Sequence, residues 1–165
     1  MMQAAARTVS PAPSPTIPFY LHFTQLIPEV VESAPEGTIW VDVSDSPLDY
    51  FESLRAIWKL GEGFALLEHD VVSRPDIVRA FNECEHPWCT FEYDNLCHPE
   101  CKEAYQNQLG CTRFSREIVR AVPRAFEMPE PERLWQRVNE GLGANLRAAG
   151  YGHHWHRPAV LHLHK

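Results

Sequence analysis

Between Ile17 and Phe81 the chain alternates three short apolar runs with stretches of helical spacing, and this alternation restricts the possible folds more than any other feature. Ile17 to Phe23 is β-branched and aromatic, Thr38 to Val43 reads TIWVDV, and Phe64 to Leu67 reads FALL. Such short apolar runs suit strands covered on both faces. Between the first two, Thr24 to Ser33 is weakly helical, and Pro35-Glu36-Gly37 makes a turn. Ser46-Pro47 sets a capping hydroxyl ahead of a proline suited to a first helical turn. Leu48, Phe51, Leu54, Ile57 and Trp58 then recur on one face until Gly61 and Gly63 end the helix. Ser73-Arg74-Pro75-Asp76 repeats the device before Ile77, Val78, Ala80 and Phe81. The order β-α-β-α-β-α predicts an α/β domain with a mostly parallel central sheet, right-handed crossovers and ligands outside the carboxyl ends of the strands. Asp42, Glu68 and Asp70 stand at those ends and are expected on one rim.

Further along, Trp88 to Tyr93 reads as a strand, Cys97 to Cys101 as a loop and Ser115 to Phe126 as a helix. A last helix is expected from Glu132 to Ala149, weakened by Gly141 and Gly143, each of which costs about 1 kcal/mol relative to alanine. Residues 1–16, rich in Ala, Ser and Pro, read as a disordered or extended leader, which leaves 17–165 as one domain.

A formal charge of −7, from 15 Lys plus Arg against 22 Asp plus Glu, argues against a nucleic-acid polymer as partner. It leaves room for a nucleotide whose diphosphate is neutralised by a metal. No apolar stretch approaches the roughly 20 residues of a membrane helix and the start lacks a signal-peptide pattern, so a cytoplasmic protein without a membrane span is expected. Five cysteines, an odd number, fit reduced thiols better than a disulfide framework.

On an extended chain Glu68 and Asp70 would project together with His69 facing away, giving two oxygen ligands suited to Mg²⁺ or Mn²⁺; a solvated turn is the plain alternative. The second constellation is the tail, where His153, His154, His156, His162 and His164 lie within 12 residues. Trp155, Val160, Leu161 and Leu163 break up these histidines as in a buried strand and unlike an expression tag. If extended, His154 and His156 share a face, as do His162 and His164, and imidazole ligands favour Mn²⁺ over Mg²⁺. Cys84-x4-Cys89 and Cys97-x3-Cys101, with His86 and His98 nearby, could hold structural zinc, although the spacing is loose; otherwise they are buried residues or free thiols. In Leu109-Gly110-Cys111-Thr112-Arg113-Phe114-Ser115 the glycine permits close backbone approach, Arg113 could pair with phosphate and Ser115 would cap the next helix; a tight turn into that helix is the simpler alternative.

Four blocks, FALLEHDVV at 64–72, PWCTFEY at 87–93, LGCTRFS at 109–115 and HHWHRPAVLHLH at 153–164, resemble small glycosyltransferases of the GT-A fold, especially an uncharacterised bacterial and phage-type group. The resemblance implies a compact GT-A-like three-layer αβα sandwich that moves a sugar from a nucleoside diphosphate sugar to an unknown acceptor. It assigns the metal to Asp70 and a C-terminal histidine, His162 first and His164 second. Glu68 would bond the donor ribose or reach the metal through water, and Arg113 and Ser115 would edge the pocket. A general base is expected on a late helix, where this chain has Asn139 followed by Glu140. The competing readings are a non-catalytic metal or nucleotide-sugar binding module, a metal-dependent hydrolase and a structural zinc protein.

Overall fold

The computed structural model describes residues 16–93 and 109–163. Among these, seven strands and five α-helices follow in the order β1 (Phe19–Phe23), α1 (Pro28–Ser33), β2 (Ile39–Asp42), α2 (Asp49–Lys59), β3 (Phe64–Glu68), β4 (Val71–Val72), α3 (Ile77–Glu83), β5 (Trp88–Tyr93), β6 (Cys111–Phe114), α4 (Arg116–Ala121), α5 (Trp135–Ala148) and β7 (His154–His162). A 3-10 turn at Glu130–Arg133 precedes α5. Most of the expected leader, the Cys97 to Cys101 loop and His164 lie outside the described residues.

The strands form one sheet in the order β2-β1-β3-β6-β5-β7-β4. β2, β1 and β3 are parallel, as the alternation predicts. The rest corrects the expectation of a mostly parallel sheet. β6 runs antiparallel between β3 and β5, and β4 runs antiparallel to β7, so only half of the neighbouring pairs are parallel and the sheet is mixed. β6 escapes a periodicity reading because it is four residues long and carries Thr112 and Arg113 at its centre. Thr112 is nevertheless fully buried, its hydroxyl 2.6 Å from that of Thr90 on β5, so the pair removes the cost of burying either group alone.

Alternate residues of β3 enter different cores, as the twofold period of a strand requires. Phe64 and Leu66 pack with Phe51, Leu54 and Trp58 of α2, Ile118 of α4 and Val138 and Leu142 of α5. Ala65 and Leu67 pack with Val30 of α1 and Ile77 and Phe81 of α3. The result is a layer of helices on each face of the sheet. The indole of Trp58 also donates to the Val122 carbonyl at 2.9 Å, fixing α2 to the end of α4.

The capping chemistry expected at the helix starts holds at Ser46 and fails at Ser73. Ser46 accepts from the Leu48 amide at 3.2 Å while Asp49 accepts from the Ser46 amide at 2.7 Å, a reciprocal capping arrangement ahead of α2. Ser73 does not cap α3; its amide and hydroxyl bond to Ser33 and so tie β4 to the end of α1. α4 stops at Ala121, short of the expected Phe126, because Pro123 disfavours helical backbone at Val122. No helix among the described residues is long and apolar enough to cross a membrane.

Candidate functional site

The pairing directions point the carboxyl ends of β1, β2, β3, β5 and β7 to one rim. Asp42 lies opposite Phe23 and Glu68 opposite His22, which places both residues at that rim, their backbones two strand spacings or roughly 10 Å apart and their side chains on opposite faces of the sheet. Asp42 is exposed and accepts from the Ser44 amide at 3.0 Å.

Glu68 is enclosed. The Tyr50 hydroxyl donates to its Oε1 at 2.6 Å and the Asn139 amide donates to the same oxygen at 3.4 Å. Burial pushes the Glu68 carboxyl above its usual range and the Asp70 charge adds to this, while the Tyr50 and Asn139 hydrogen bonds oppose it. Tyr50 is held in place by Trp135, stacked at 4.3 Å, and by the edge of His22 at 5.3 Å.

Asp70 has a different partner. β3 ends at Glu68, and His69 and Asp70 form a turn before β4, so the strand alternation that would align Glu68 with Asp70 stops one residue too early. The two carboxylates are near enough for the Asp70 charge to act on Glu68, but they bond different partners: Glu68 Oε1 is taken up by α2 and α5, and the His69 ring, expected on the far side, meets Trp135 of the same α5 at 5.6 Å.

Asp70 is delivered instead to β7. Val71 pairs with His162, the Leu163 amide donates to the Asp70 carbonyl at 2.7 Å, and His162 Nε2 lies 3.1 Å from Asp70 Oδ2. The two widely separated sequence features thus meet. Burial alone would push the Asp70 carboxyl up, but its hydrogen bond and charge interaction with His162 outweigh this and leave it below its ordinary value. Its other oxygen, Oδ1, is buried without a hydrogen-bond partner.

Tyr93 completes the cluster, its ring stacked on His162 at 4.5 Å and 6°. A methyl group at Gly110 would collide with the Tyr93 hydroxyl and come within 2.8 Å of Glu68 Oε2, so the close approach of β3, β5 and the entry to β6 requires glycine there.

Other expected residues sit elsewhere. Arg113 pairs with Ala65, three residues back along β3 from Glu68 and so about 10 Å from the rim, and its guanidinium donates to the His86 carbonyl at 2.8 Å. Ser115 caps α4 by accepting from the Ile118 amide at 3.4 Å. Of the 109–115 segment, Leu109-Gly110 reaches the rim and Arg113 and Ser115 do not, because the segment is a strand running away from it. Glu140 is exposed and lines a groove with Glu127, Met128, Glu132 and Asn145, while its neighbour Asn139 is the α5 residue bonded to Glu68.

A hard to borderline cation suits the pair of a carboxylate with an unsatisfied oxygen and an imidazole, and Asp70 and His162 are such a pair. Glu68 is a neighbour of that position and not a third converging ligand. Among the described residues, the group of three whose ligand atoms all lie within 4.8 Å of one another is Cys84, His154 and His156. Sequence reading missed Tyr50, Tyr93 and Trp135; the one signal available was a tyrosine at the start of an otherwise apolar helical face. No protein-family model matches the chain, and no curated protein matches it well enough to serve as a relative.

Proposed function

We propose that this chain is a metal-dependent glycosyltransferase of GT-A-like fold, moving a sugar from a nucleoside diphosphate sugar to an acceptor. The observation that carries the reading is the 3.1 Å apposition of Asp70, at the carboxyl end of a parallel strand run, with His162 from the last strand. Asp70 Oδ1 and the His162 imidazole would hold the cation, with Mn²⁺ preferred over Mg²⁺ for a site containing imidazole. When bound, that cation supplies the positive charge that offsets the leaving diphosphate. Asp42, exposed on the same rim, is the carboxylate open to the donor ribose. Glu68, fixed by Tyr50 and Asn139, keeps the floor of the site rigid.

Glu140 has no part in this proposal, since it lines a different groove. Asn139 beside Glu68 supports a second reading, a module that binds metal and donor without turnover, because an amide cannot accept the acceptor's proton. Calorimetry with Mn²⁺ and a panel of UDP and GDP sugars tests both. Metal-dependent donor binding supports them together, release of sugar or its transfer separates the enzyme from the module, and a lack of donor binding with Mn²⁺ present defeats both.

A further inference from the structure

At the other end of β7 the chain assembles a second group of ligand atoms that the rim does not use. His154 and His156 point to the same face, their rings 5.0 Å apart, and Cys84 at the end of α3 faces them. One ligand atom from each lies within 4.8 Å of the others. Ligands on a tetrahedral ion, at about 2.0–2.3 Å from it, stand about 3.3–3.8 Å apart, so a movement of about 1 Å closes the set.

The His156 ring is fixed by Phe91, stacked at 5.0 Å, and by Phe81 at 5.9 Å, yet its Nε2 is buried with no hydrogen-bond partner. A buried imidazole nitrogen in this condition needs an explanation. Burial, together with neighbouring His86, His154 and Arg113, lowers the basicity of His156, and burial and His86 do the same for His154, so both keep the lone pairs a metal requires. His86 lines the same pocket and stacks face to face on His154 at 4.0 Å.

We infer that Cys84, His154 and His156 form a zinc site that joins the end of α3 to the start of β7, with the fourth position open to solvent beside His86. One thiolate and two imidazoles match Zn²⁺ and not the oxygen-seeking cations. On binding, the Cys84 thiol gives its proton to solvent and a zinc–sulfur bond replaces the sulfur–hydrogen bond. The ion would anchor the strand that delivers His162 to the rim, but the inference does not depend on the glycosyltransferase reading. It also differs from the loose four-cysteine pattern in the sequence, because two of its ligands come from the histidine-rich tail.

Co²⁺ titration of the reduced full chain is the test, with elemental analysis for zinc after dialysis. One equivalent of zinc, the intense visible bands of four-coordinate Co²⁺ and a thiolate-to-Co²⁺ charge-transfer band are expected. Cys84→Ser should abolish the charge-transfer band, and His154→Ala or His156→Ala should weaken binding about tenfold or more. Asp70→Asn should leave the spectrum intact. Cys89→Ser, which removes the buried sulfur next to Cys84, should keep the band and guards against mistaking a folding defect for a lost ligand. Persistence of the band in Cys84→Ser, its loss only on Cys97→Ser or Cys101→Ser, or six-coordinate Co²⁺ in the wild type would overturn the assignment.

Discussion

A carboxyl withdrawn from water holds its proton to higher pH than one in the unfolded chain, and Glu68 is in this condition despite its two hydrogen-bond donors. Below its unfolded value, about pH 4, burial of Glu68 carries no ionisation cost. As pH rises from there through the higher folded value, the unfolded state releases a proton that the native state retains, and stability is lost. Glu68→Gln keeps both hydrogen bonds without the charge. Urea denaturation of the metal-free protein should show this variant equal to wild type near about pH 4 and more stable at about pH 8.

His22 works in the opposite direction. Ser53 donates to the Tyr50 carbonyl at 3.0 Å, so its oxygen is left to accept from His22 Nε2 at 2.9 Å, which sets the tautomer and leaves buried Nδ1 without a partner. Burial lowers the His22 pKa to about 3. The stability of neutral His22 is fully present above the unfolded value of about 6.5 and is lost as pH falls from there, at about 1 kcal/mol per pH unit. His22→Gln should flatten the acid side of the stability curve by about one proton; an unchanged slope would place the acid transition elsewhere.

At this scale the meeting of Asp70 with His162 was legible, because an acidic strand end and an imidazole-rich tail both stand out in the sequence. The separate partners of Glu68 and Asp70 were not, since the turn at His69 and Asp70 that ends β3 contains neither glycine nor proline. Asn139 attracted attention as a substitute for an acid, yet its bond to Glu68 depends on how α5 packs, which spacing alone does not reveal.

Among the elements, β1, α1, β2, α2, β3, β5 and α5 follow from apolar period and capping chemistry, with ends shifted by a few residues. β4, of two residues, and β6, of four, are too short to show a period. Yet β6 decides how close β3 comes to β5, through the bare backbone at Gly110. Gly110→Ala should cost about 1–3 kcal/mol, because the obstacle is the tip of a buried tyrosine stacked on His162 and cannot swing aside. Chemical denaturation gives the cost, and loss of Mn²⁺ affinity in the same variant would show the strain reaching His162. A fully stable variant would mean that β6 shifts freely.

For the molecule as a whole, the antiparallel β6 and β4 have one consequence for the site. They let β7, the last strand, join a sheet begun by β1 to β3 and carry His162 back to the turn that follows β3. Local sequence signals predicted α/β layering with the carboxyl ends of the first three strands on one rim, and the structure has both. Strand direction in the second half depends on which distant segments pair, and so the mixed sheet was not legible.

The most direct test is the binding of Mn²⁺, read by the loss of its free-ion electron spin resonance signal, to wild type, Asp70→Asn and His162→Ala, each with and without a nucleoside diphosphate. The expected result is that the diphosphate tightens Mn²⁺ binding to wild type and that each substitution weakens it about tenfold or more. Equal Mn²⁺ binding by all three proteins would contradict a shared cation between Asp70 and His162.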